Sequence, residues 1–127
     1  MQENHLYEYA VIRIVPRVER EEFLNVGVIL FCKKHTFLQT LYTVNEERLH
    51  TFYNKLDITE LTSYLKGFEK ICNGEPDGGP IAQLDLPSRF RWLTANRSTV
   101  IQTSKVHPGI CTEPREKLEQ LYREMVL

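Results

Sequence analysis

Little in this chain commits it to a specialised class. Its 127 residues hold only three cysteines, Cys32, Cys72 and Cys111, far apart and without a C-x-x-C pair. That scatter reads as reduced thiols in a cytoplasmic protein. No apolar run approaches the ~20 residues needed to cross a bilayer, so no membrane span is expected. The opening Met1-Gln2-Glu3-Asn4-His5 lacks the basic and apolar regions of a signal peptide. Charge of one sign is also lacking: the net charge is −1 and the sequence pI about 6.4. Binders of nucleic acid or membrane surfaces are usually distinctly basic, so neither partner is expected. Internal repeats and low-complexity tracts are missing. So are a phosphate-cradling or dinucleotide glycine pattern, a nucleophile elbow and an H-E-x-x-H pair. No cofactor and no metal are therefore expected.

What is present is the composition of an ordinary folded domain. The apolar share of 42% and charged share of 26% exclude a disordered chain. The length suits a single domain over residues 1–127, which would bury roughly two-thirds of its unfolded surface.

Two very apolar segments stand out, residues 7–15 and 26–32. Both are apolar on both of their faces, the first interrupted only by Glu8 and Arg13, the mark of strands internal to a sheet. Pro16 ends the first, since proline has no amide to donate. Lys33-Lys34-His35-Thr36 turns the chain into a third strand, residues 37–42. Asn45 is a suitable N-cap for a short helix carrying Leu49, Phe52 and Tyr53. Asp57-Ile58-Thr59-Glu60 matches a capping box. The helix it opens carries Ile58, Leu61, Leu65, Phe68 and Cys72 at helical spacing and stops at Gly74.

A Gly- and Pro-rich loop follows over residues 75–87, pinned by Ile81, Leu84 and Leu86. Residues 88–94 alternate, with Phe90 and Trp92 on one face and Arg89 and Arg91 on the other, which predicts a fourth strand. Asn96 turns it into a fifth over residues 99–104, and residues 106–111 read as a loop. Thr112 is expected to cap a last helix with Pro114 in its first turn and Leu118, Leu121, Tyr122 and Met125 facing inward. The expected fold is α+β: a mainly antiparallel sheet of about five strands, in the order β-β-β-α-α-β-β-α, with three helices on it. Helices on one face would leave the outer faces of the first two strands bare. The long loop, or a second copy in a homodimer, is expected to cover them.

The segments Tyr9-Ala10-Val11-Ile12-Arg13 through Asn25-Val26-Gly27-Val28-Ile29-Leu30, and Phe90-Arg91-Trp92-Leu93-Thr94 through Arg97-Ser98 to His107-Pro108-Gly109, carry a resemblance over nearly the whole chain. The chain resembles a small bacterial family of unknown function whose genes often neighbour those of HipA-like kinases. The resemblance implies a bacterial cytoplasmic protein and a HipA-like kinase as partner. It supplies no catalytic residue.

Between the first two strands lies the charged block Arg17-Val18-Glu19-Arg20-Glu21-Glu22. It is either a salt-bridged turn or the edge of a site. As a site it would be an anion-binding cluster of Arg13, Arg17, Asn25, Arg91 and Arg97, with Arg20 beside them. Arginine presents a planar fork of donors that suits phosphate or carboxylate. The competing reading pairs these arginines with Glu8, Glu19, Glu21 and Glu22 in a structural network.

Glu21, Glu22 and His107 would serve acid–base chemistry if buried together, but consecutive glutamates on a turn are usually solvated. His107 and Cys111 are two metal ligands and do not make a site. Cys32 and Cys72 lie in apolar patterns and read as inert, which leaves Cys111 as the reactive thiol. Trp92, with Phe90, Tyr7 and Tyr9, is expected in the core rather than stacking a base. The expected role is a protein-interaction or regulatory module without turnover. The alternative is an enzyme or sensor binding a phosphorylated small molecule or nucleotide at the arginines.

Overall fold

The computed structural model describes residues 3–127. Met1 and Gln2, the head of the segment read as lacking a signal peptide, lie outside the described residues. The elements are β1 (His5–Ile14), β2 (Leu24–Cys32), β3 (Phe37–Tyr42), α1 (Glu46–Phe52), α2 (Ile58–Asn73), α3 (Leu86–Leu93), β4 (Ile101–Thr103), β5 (His107–Cys111) and α4 (Pro114–Met125). The architecture is α+β, with five antiparallel strands and four helices rather than three.

The two apolar segments are the interior of the sheet, whose order is β3-β2-β1-β4. β1 pairs with β2 along its length on one side. On its other side it pairs with β5 over His5–Tyr9 and with β4 over Ile12–Ile14. Ser104 bridges the gap between those two partners. Its amide donates to the Val11 carbonyl at 2.8 Å, and its hydroxyl accepts from the Val11 amide at 2.8 Å. Val11, Ile12, Val28 and Ile29 are all buried, as a two-sided apolar pattern requires. Gly27 is the residue that lets β3 pack closely, because a Cβ there would meet the Leu41 carbonyl oxygen and Tyr42.

Helices cover both faces. On one, Ala10, Ile12, Ile14, Ile29, Phe31 and Leu38 pack with Leu49, Leu61, Leu65, Phe90 and Leu93. Buried Thr40 donates to Cys72 Sγ at 3.1 Å, so the helix α2 is also tied to β3 by a hydrogen bond. On the other face, Tyr7, Val28, Leu30 and Cys32 pack under Leu118, Leu121 and Val126. The outer faces of β2 and β3 are thus covered by α4, and the long loop packs on the α2 side instead. The N-caps behave as their chemistry predicts. Asn45 accepts from the Arg48 amide and Asp57 from the Glu60 amide, each satisfying an otherwise orphaned helix donor. Gly74 ends α2 in the left-handed conformation, φ 65°.

The expected fourth strand is wrong. Residues 86–93 form α3, because Asp85 caps the Ser88 amide and Pro87 sits in the first turn. Leu86, Phe90 and Leu93 are spaced four and three apart, and this helical stripe prevails over the two-residue alternation of Phe90 and Trp92. Phe90 and Leu93 are fully buried and Phe90 stacks on Phe31. Trp92 is turned outward and is 41% exposed, so its expected core position is also corrected.

Conversely, the expected loop over residues 106–111 contains β5. Its Pro108 is tolerated because the strand lies at an edge. Its Gly109 is required because the Tyr7 ring crosses the space of a Cβ. Glu113, not Thr112, holds the cap position of α4 and makes no side-chain cap bond. Val126, not Met125, completes the buried face of that helix. The Gly/Pro segment itself folds into two 3-10 turns, Pro76–Gly78 and Ile81–Gln83, held by Ala82 in the core.

Candidate functional site

The charged block closes on itself. Residues Val18–Arg20 make a 3-10 turn, and Glu21 follows in the left-handed region at φ 58°. Arg17 pairs with Glu19 at 2.7 Å and Arg20 with Glu22 at 2.5 Å, all four side chains largely exposed. A backbone hydrogen bond, then that from Arg17, holds the Glu19 carboxyl below its ordinary range. The Arg20 hydrogen bond does the same for Glu22.

The five residues expected around an anion engage different partners. Arg13 and Asn25 are brought together, directly opposite one another across the β1–β2 ladder beside a bulge. The Arg13 guanidinium lies 3.9 Å from the centroid of the Phe23 ring, and burial lowers its pKa. Asn25 donates to the Met125 carbonyl at 3.1 Å. Arg13 Nε and Asn25 Oδ1 are buried without a hydrogen-bond partner. Arg91 instead pairs with Glu8 at 3.2 Å. Glu8 is five residues up the strand from Arg13, about 17 Å at strand rise. Arg97 donates to the Leu93 and Trp92 carbonyls and stacks on Trp92.

The other candidate constellations are also separated. His107 faces Tyr9 in the β1–β5 ladder and packs its ring against the tyrosine, whereas Glu21 and Glu22 precede β2 beyond the far end of β1. His107 and Cys111 are four residues apart on one strand, about 13 Å, too far to share an ion. Cys111 is buried and its thiol is pushed up by that burial, which corrects the expectation of a reactive loop thiol. Cys32 and Cys72 are buried as well.

A feature that the sequence reading missed is a groove of about 500 Å3 between α2, the end of α3 and β4. Its wall is apolar, from Phe68, Ile71, Leu93 and Ile101, with Tyr64 and Trp92 half-exposed on the rim. Gly67 lies at the centre of the α2 side, and a Cβ there would meet nothing within 4 Å. The groove runs on past Glu60 and Tyr64 into a second depression of about 200 Å3. That in turn shares Pro16 and Tyr53 with a third, of about 370 Å3, bordered by Arg17 and Arg20. The signal for it in the sequence is Tyr64 and Ile71, which flank Phe68 of the expected core row at helical spacing and widen the apolar face of α2.

Residues 9–126 match the family described as Protein of unknown function (DUF3037). The chain belongs to that family. The match takes in β1 from Tyr9 onward and the other eight elements in full, with the whole wall of the groove and all the candidate arginines. No curated protein and no solved structure matches the chain. No helix among the described residues is long and apolar enough to cross a membrane.

Proposed function

We propose that this protein is a recognition module of the bacterial cytoplasm that works by binding another protein, as an accessory or regulator of a HipA-like kinase. The observation that carries the reading is the apolar groove beside β4. It is the most apolar of the depressions described, and it is flanked by half-exposed aromatic residues of the kind enriched at interfaces. The arginines argue in the same direction. Arg17, Arg20 and Arg91 are occupied by carboxylates, and Arg97 by carbonyls and a ring. The direct test mixes the purified protein with a HipA-like kinase on a sizing column at micromolar concentration. Co-elution that Trp92→Ala weakens supports the reading; separate elution removes that kinase as a stable partner. The same column run on the protein alone reads whether it forms a homodimer.

One observation favours the second reading, an enzyme or sensor for a phosphorylated small molecule or nucleotide. Arg13 has no carboxylate partner among the described residues, and its Nε and the neighbouring Asn25 Oδ1 are unpartnered. Thermal shift against nucleotides and sugar phosphates tests it. Stabilisation lost in Arg13→Ala, or phosphoester hydrolysis lost in Arg17→Ala, would displace the interaction reading.

A further inference from the structure

We infer that the groove receives an extended peptide segment of the partner, added to the sheet as a strand along the open edge of β4, with an apolar side chain seated over Gly67. The inference rests on the recognition reading above and specifies the form in which the partner presents itself.

The edge supplies the first argument. Val15 donates to the Val100 carbonyl at 2.7 Å and Ser104 to the Val11 carbonyl at 2.8 Å, and Arg13 faces Gln102 midway between them. In an antiparallel ladder the bonded pairs alternate, so the backbone groups of Ile101 and Thr103 point away from β1. The Thr99 hydroxyl takes the Ile101 carbonyl at 2.8 Å. The Ile101 amide and both backbone groups of Thr103 have no partner among the described residues. Donors and an acceptor in that spacing are matched by another strand. The neighbouring edge strand β5 carries Pro108, a residue that blunts an edge, whereas β4 has none.

The side-chain seat supplies the second argument. A strand laid beside β4 would send alternate side chains under the overhang of α2. There the helix has Gly67 in its middle, a choice that weakens a helix and that nothing in this chain's own packing demands. The charges around the seat are already engaged. Glu60 accepts from the Tyr64 hydroxyl, and Arg97 is stacked on Trp92. The seat therefore matches an uncharged apolar side chain.

The probe is a phage-displayed library of random peptides of about a dozen residues, selected on the intact protein. The expected winners carry apolar residues at every second position, and bound peptide slows hydrogen exchange at the Ile101 and Thr103 amides. Gly67→Leu fills the seat and Thr103→Pro removes an outward amide. Each should weaken binding about tenfold or more. A melting temperature for Gly67→Leu no lower than that of the parent shows that the loss is not unfolding. Failure to enrich any peptide, exchange unchanged at both amides, or full binding by Gly67→Leu overturns strand addition. If a kinase still co-elutes in that case, the recognition reading survives without it. A concentration-dependent dimer lost in both variants would give the slot to a second copy and likewise overturn the inference.

Discussion

The guanidinium of Arg97 lies over the Trp92 ring, 4.2 Å from its centroid, while its terminal nitrogens reach the Leu93 and Trp92 carbonyls at the end of α3. One side chain thus closes a helix terminus and shelters one face of an indole. Arg97→Ala is expected to cost about 1 kcal/mol. Trp92→Ala should cost about 1–2 kcal/mol, because much of the ring is already in water. Phe90→Ala, at the centre of the core, should cost about 3–5 kcal/mol. Chemical denaturation reads the order, and equal losses at Trp92 and Phe90 would put the indole in the core.

Gly67→Ala should stabilise the protein by about 0.5–1 kcal/mol, since alanine is the better helix former and its methyl enters open space. A destabilised variant would mean that the helix is packed more tightly there than the groove suggests.

Thr36 closes the β2–β3 turn with its amide on the Lys33 carbonyl at 3.1 Å and sits in the left-handed region at φ 48°. A β-branched residue is strained in that conformation. Thr36→Gly is expected to raise stability by about 1 kcal/mol, and an unchanged unfolding midpoint would count against the strain.

Acid should erode the structure through its paired carboxylates. The Asp85 carboxyl is held below the ordinary range by hydrogen bonds from the Ser88 hydroxyl and amide, and that of Glu22 by the Arg20 hydrogen bond. A depressed folded pKa means the ionised form is favoured by folding. That stabilisation is complete above the unfolded value near 4 and is lost as pH falls through the folded one. Asp85→Asn keeps the cap but has no proton to gain, so its stability should fall less steeply below pH 4. Parallel acid titrations of the two proteins make the comparison.

Alkali acts through Cys72, whose thiol burial pushes up to about 11. Folding therefore favours the neutral thiol, a contribution present below the ordinary value near 9 and lost as pH rises towards 11. Near neutral pH a thiol reagent should label the native protein slowly and the unfolded protein three times per chain. Rapid native labelling at any cysteine would show that its strand or helix opens readily.

Much of the fold was legible because each signal was local and unopposed. Two-sided apolar runs placed β1 and β2 inside the sheet, and Asn45, Asp57 and Gly74 marked helix ends through bonds to their own neighbours. The misreading at residues 88–94 arose where two periods coincided. Phe90 and Trp92 satisfied a strand, Phe90 and Leu93 a helix, and eight residues are too few for one period to outweigh the other. β5 was hidden because Pro108 and Gly109, usual loop residues, are there allowed by an edge and demanded by Tyr7. Of the expected anion cluster, only the neighbouring strand positions Arg13 and Asn25 came together. The others were drawn to the nearest carboxylate, carbonyl or ring.

The sequence by itself determined the α+β class, the interior strands and the main helix, because these follow from periodicity and caps within a few residues. Only the tertiary structure decided that α4 covers the second face of the sheet, that Trp92 points outward, and that β4 ends the sheet with open amides beneath α2. Those outcomes depend on which surfaces meet across the chain. Packing area and hydrogen-bond partners distant in sequence settle them, and neither leaves a local pattern to read.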